Sequence, residues 1–134
     1  MNSDMIIARL PLIRNVLLIV ATAILAATAL AQRPLGIDVS HWQGPSIDWT
    51  NVKNSGIMFA WTKASEGDGL ADGTFVINET KGKAAGVLMG AYHFARYDLN
   101  NGTTGAINEA NYFWTVARNY IAGDGSYLMP MLDS

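Results

Sequence analysis

The sequence predicts an α/β fold: a partial (β/α) barrel of about four parallel strands with three connecting helices. Three observations carry that expectation. Short runs rich in aliphatic, aromatic and β-branched residues lie at 35–39, 57–63, 87–94 and 127–132, each with Pro, Gly or Asp at one end. Segments with helical spacing and cap signals alternate with them. Strict alternation of strand and helix argues for parallel pairing with right-handed crossovers. The strand runs are continuously apolar, as expected when both faces of a sheet are covered. Four strands suit a small doubly wound sheet or half of a barrel. The last element is a strand with no helix after it, which favours the half-barrel and an incomplete sequence.

Residues 1–31 read as an export signal rather than as part of the fold. Arg9 and Arg14 supply positive charge, Val16 to Ala31 is an uncharged and mostly apolar run, and Ala29-Leu30-Ala31 is a small-x-small cleavage pattern. The run is short for a membrane span, which needs about 20 residues. Cleavage after Ala31 leaves Gln32 as the first mature residue and puts the rest of the chain outside the cytoplasm, secreted or periplasmic. An uncleaved presequence is the only membrane contact foreseen.

In the mature part, residues 32–134, strand one is Leu35–Val39. Pro45-Ser46 opens a turn, and Asp48 caps a short helix that Gly56 stops. Strand two is Ile57–Lys63, and Glu66-Gly67-Asp68-Gly69 is a loop. Helix two runs from Thr74 to Ala85 with Phe75, Val76 and Ala84 inward and Gly86 as terminator. Strand three is Val87–Phe94, where Gly90 lets another group approach the backbone. Asn100-Asn101-Gly102 marks a turn. Helix three, Thr104 to Ile121, shows Ala106, Ala110, Phe113, Ala117 and Tyr120 at steps of three and four. Strand four is Tyr127–Leu132.

Composition removes several functions. The 134 residues carry a formal charge of −2, so no basic nucleic-acid face is expected. There is no Cys, hence neither disulfide nor thiolate chemistry. The segment after strand one is no Gly-rich phosphate loop, and no Gly-x-Ser-x-Gly elbow occurs. His41 and His93 fit no zinc spacing, and no metal is expected.

Candidate site residues gather at the strand ends. Strand one delivers Asp38, strand two Lys63 and Glu66, strand three Tyr92 and His93, strand four Asp133. Parallel strands would bring these to one rim, where sites of such folds collect. Carboxylates crowded there shift one another's pKa, the basis of acid–base pairs. Each also has a plainer reading: Asp38 as a turn cap, Lys63–Glu66 as an ion pair, Asp133 as a helix cap. Trp42, beside Asp38 on a loop, suits stacking on a sugar ring. Trp61 and Trp114 read as packing.

The ordered motifs resemble one family. Gly36-Ile37-Asp38-Val39-Ser40-His41-Trp42-Gln43-Gly44 is similar to the first strand of the family 25 glycoside hydrolases, the Chalaropsis-type lysozymes or N-acetylmuramidases. Phe59 to Gly67, with Lys63-Ala64-Ser65-Glu66-Gly67, resembles their second strand. Asp72, Phe75, Asn78 and Ala85-Gly86 resemble the second helix, and Gly90 to Ala95 the third strand. Glu109-Ala110 with Phe113 resembles the third helix, and Pro130 to Asp133 the opening of an Asp-x-Glu motif. The likeness spans residues 35–133, the N-terminal part of such a domain.

The resemblance implies an irregular α/β barrel that hydrolyses the β-1,4 bond between N-acetylmuramic acid and N-acetylglucosamine in peptidoglycan. It implies no cofactor, and the glycan strand is the only partner expected. Asp38, Glu66 and Asp133 take the family's acidic positions; Asp133 would steady the 2-acetamido group in a substrate-assisted, retaining route. Trp42, Tyr92 and His93 are the expected substrate contacts. The family's general acid lies two residues after Asp133, past Ser134, so the sequence reads as cut short before it. The alternative is a catalytically inactive, glycan-binding remnant of the same fold.

Overall fold

The computed structural model describes residues 33–134; the export signal read at 1–31 lies outside the described residues. Two compact units are distinguished, and the one described here is Pro34–Ser134. It runs β1 (Leu35–Val39), a 3-10 turn (His41–Gln43), α1 (Trp49–Asn54), β2 (Ile57–Glu66) and β3 (Leu70–Ala71). It continues through α2 (Phe75–Ala84), β4 (Leu88–Phe94), α3 (Gly102–Ala117), a 3-10 turn (Arg118–Tyr120) and β5 (Met131–Asp133). The sheet order is β1-β2-β4-β5, every neighbouring pair parallel, with β3 attached antiparallel to β2. This is half of an α/β barrel: four parallel strands joined by three helices.

Local signals explain most boundaries. Asp48 caps α1, its carboxylate accepting from the Asn51 N–H at 3.0 Å. Gly56 and Gly86 close the first two helices with φ of 87° and 80°, a conformation a Cβ disfavours. Gly90 is a packing glycine: a Cβ there would lie 2.6 Å from Leu128 Cβ and 3.1 Å from Trp61 Cδ1. The group that approaches it comes from the stretch before β5. That stretch is not strand, as the sequence suggested, but irregular chain tied down by Leu128 N–H to the Met89 carbonyl, 2.8 Å, and Trp61 Nε1–H to the Met129 carbonyl, 3.0 Å.

The helices bury one face of the sheet in two apolar clusters. Val39, Trp49, Ala60, Val87 and Met89 form one; Ala64, Phe75, Ala91 and Ala117 form the other. Burial of such side chains is the main favourable term of the fold. Two expected helix faces are corrected. Helix α2 turns Phe75, Asn78, Glu79 and Gly82 inward, while Val76 and Ala84 are exposed. The spacing is helical, but polar and small residues occupy it. On α3, Ala117 is buried, whereas Ala106 and Ala110 are exposed and line a cleft of about 320 Å³ with Phe113 and Pro130–Leu132. Trp114, read as packing, is exposed.

A bulge in β2 sets up the site. Lys63 pairs with Tyr92 but Ser65 with His93, so Ala64 is an extra residue. Side chains alternate along a strand, and directly paired residues share a face. The extra residue re-phases the strand, so Lys63 and Glu66, three apart, fall on the same face. Following the register, that face also carries Asp38, Trp61, Gly90, Tyr92, Phe94 and Asp133.

Candidate active site

The uncovered face holds most of the expected site. Glu66, Phe94 and Asp133 share one row across β2, β4 and β5. Asp38 lies in a lower row, paired with Trp61, which pairs with Gly90. The strand ends are thus staggered, not level. Asp38 and Asp133 are exposed, and Glu66 is half-buried.

Tyr92 stands between the acids. Burial pushes its phenol up to about 12, and the negative charges of Asp38, Asp133 and Asp72 push the same way, against the Ser40 hydroxyl. Asp38 and Asp133 therefore act on one group despite their separation in sequence. The phenol is a neutral hydrogen-bond donor at any physiological pH.

Glu66 has no free oxygen. Lys63 Nζ binds Oε2 and Arg96 Nη1 donates to Oε1 at 2.9 Å. The Lys63 hydrogen bond, then that of Arg96, hold the carboxyl below its usual range. Arg96 is fixed in turn by a two-pronged bond to Asp98, both contacts 2.8 Å. Sequence reasoning proposed the Lys63 pair but missed Arg96. Lys63 is itself buried, with Phe94's ring 4.9 Å from Nζ.

His93 is the main correction. As a neighbour of Tyr92 on one strand, it points to the opposite, helix-covered face. It is 5% exposed, and both ring nitrogens are engaged: Nδ1 with Ser65 Oγ at 2.9 Å and Nε2 with Glu109 Oε2 at 3.0 Å. Glu109 also accepts the Arg96 N–H and Asn100 Nδ2–H. Burial raises its pKa, but these bonds, led by that of His93, outweigh burial and bring it below the usual range. Ser65–His93–Glu109 has the composition of a nucleophilic triad, but Ser65 is wholly buried. The network anchors α3 and the Arg96 loop against the strands that carry Tyr92 and Glu66.

Trp42 is 82% exposed on the 3-10 turn after β1. Ser40 fixes that turn with a capping box, the Gln43 side chain closing back onto its N–H at 2.8 Å. Asp72 was not foreseen as part of the rim. Its carboxylate accepts the His41 N–H and meets His41 Nδ1, and also accepts the Thr74 N–H and hydroxyl. The Asp72-Gly73-Thr74 string before a helix is a recognisable cap signal. Among the described residues no three His, Asp or Glu side chains converge to ligate a metal.

A parallel sheet whose open face bears carboxylates and a phenol near the strand C-termini has its polar groups where the sites of α/β barrels collect. Comparison with known proteins narrows the class. The profile of glycosyl hydrolases family 25 matches residues 37–134, and the chain belongs to that family. Over 78 residues it is 50% identical to lysozyme M1 of Streptomyces globisporus, covering 58% of this chain and 25% of that one. A Streptomyces coelicolor lysozyme structure superposes with a TM-score of 0.65 at 40% identity, over 76% of this chain and 44% of that one. A family 25 glycosyl hydrolase from Bacillus anthracis gives 0.63 at 28%, over 76% and 42%. The chain thus spans less than half the length of these relatives.

Proposed function

We propose that this chain is the substrate-gripping part of a muramidase that cleaves the β-1,4 bond between N-acetylmuramic acid and N-acetylglucosamine in peptidoglycan. The observation that carries the reading is the strand register, which gathers Asp38, Glu66, Tyr92 and Asp133 on one open face. In this scheme Asp133 steadies the 2-acetamido nitrogen while its carbonyl oxygen attacks the anomeric carbon. Tyr92 donates a hydrogen bond to the reacting sugar, and Asp38 accepts from its hydroxyls and orients it. Trp42 stacks on a neighbouring ring.

Glu66 is assigned a different part from proton transfer. A carboxylate paired with both Lys63 and Arg96 carries no proton at neutral pH, so it shapes the field of the groove. His93 positions the β4 end rather than touching glycan. The scheme also needs a proton donor for the leaving oxygen, a part it does not give to Glu66. No cofactor enters the scheme. We further propose that residues 1–31 direct export, secreted or periplasmic, where peptidoglycan is accessible.

The test is digestion of purified peptidoglycan by the full-length protein, with borohydride labelling of new reducing ends. Labelled muramic acid is expected, and Asp133→Asn should abolish it. Labelled glucosamine instead, or cleavage confined to peptide bonds, would overturn the assignment. The 134-residue chain should itself bind glycan, read by co-sedimentation with purified peptidoglycan.

A further inference from the structure

The turn after β1 carries an imidazole that the scheme above does not use. His41 Nδ1 lies 2.8 Å from Asp72 Oδ2, and the same oxygen accepts the His41 backbone N–H at 2.9 Å. Burial acts to raise the Asp72 pKa, but the hydrogen bonds from the His41 and Thr74 N–H groups and the Thr74 hydroxyl prevail and hold it ionised. An ionised acceptor fixes the hydrogen on Nδ1 and leaves Nε2 as the acceptor of the neutral ring. Asp72 is buried while the His41 side chain is 43% exposed, so the pair is anchored at one end and open at the other. Among the described residues no protein group bonds Nε2.

The ring does not stand alone. The Trp42 indole lies beside it, centroids 4.7 Å apart and planes tilted by 36°. The capping box of Ser40 and Gln43 holds both residues in a single rigid turn. An exposed aromatic plane next to a fixed acceptor matches a pyranose. The C–H face of the sugar covers the indole, while an edge hydroxyl or acetamido N–H reaches the acceptor. The turn follows directly on β1, which carries Asp38 on the open face.

We propose that His41, oriented by Asp72, is a substrate-contacting residue whose Nε2 accepts a hydrogen bond from the N-acetylated sugar stacked on Trp42. This rests on the muramidase reading and adds a specificity contact to it. Pre-organisation by Asp72 and the turn means that little ordering is lost on binding.

The experiment uses the 134-residue chain and a soluble tetrasaccharide of alternating N-acetylglucosamine and N-acetylmuramic acid. His41→Ala should weaken binding about tenfold, the loss of one well-made hydrogen bond. In the unsubstituted protein, long-range ¹H–¹⁵N spectra should show the Nδ1–H tautomer, with the Nε2 resonance moving on saturation. The inference is overturned if Asp38→Asn weakens binding while His41→Ala stays within twofold and Nε2 does not move. If the unsubstituted chain does not bind the tetrasaccharide at all, this contact falls, while the muramidase reading is decided by the digestion above.

Discussion

Replacing Glu79 by glutamine should stabilise the protein, and only above mildly acidic pH. Glu79 is 1% exposed, on the inward face of α2. Thr62 Oγ1–H donates to Oε1 at 3.3 Å, whereas Oε2 has no partner among the described residues. Burial pushes the carboxyl up from 4.5 to about 7, against the Thr62 bond and the Lys83 charge. The folded state therefore holds the proton more tightly than the unfolded chain. The stability this proton lends is fully present below about pH 4.5 and is lost as pH rises through about 7. The shift corresponds to about 3 kcal/mol as an upper bound. Glutamine cannot ionise, so Glu79→Gln avoids the penalty. The expected gain is about 1–3 kcal/mol near pH 8 and about zero near pH 4, read from urea unfolding at both. An equal gain at both pH values, or a loss at the higher one, would refute the reasoning.

Three further outcomes follow from the site and the sheet. Gly90→Ala places a methyl against Leu128 and Trp61 and should cost about 1–3 kcal/mol in the same unfolding assay; an unchanged midpoint would mean that the stretch before β5 yields freely. Asp38→Asn removes one charge acting on Tyr92, so its phenol should titrate below about 12, followed by ¹³Cζ NMR; no movement would separate the two residues. Glu66 should rise toward the usual carboxylate range in Lys63→Met and by less in Arg96→Met, since Lys63 is its stronger partner. The reverse order in a carboxyl NMR titration would contradict that ranking.

The sequence was informative where chemistry and period agree. Leu35–Val39 is found with the bounds read from it, β4 is within a residue, and α1 lies between the Asp48 cap and the Gly56 stop. It was less so where buried positions are polar. The inward set of α2, Phe75, Asn78, Glu79 and Gly82, has helical spacing but little apolar character, so hydropathy pointed to Val76 and Ala84 instead. The β3 arm, only two residues long, depends on pairing with Ser65 and Glu66, and no local run announces it. His93 was grouped with Tyr92 because both end a strand, although alternation separates them. Arg96 and Asp72 reach the rim only through contacts made after folding, with Glu66 thirty residues away and His41 thirty-one.

The added residue at Ala64 has a wider bearing on engineering. Transplanting this rim onto a regular strand, without the irregularity, would send the lysine and the glutamate to opposite sides. The graft would copy the lettering and lose the ion pair. Designers borrowing the groove must therefore move the backbone defect together with the side chains.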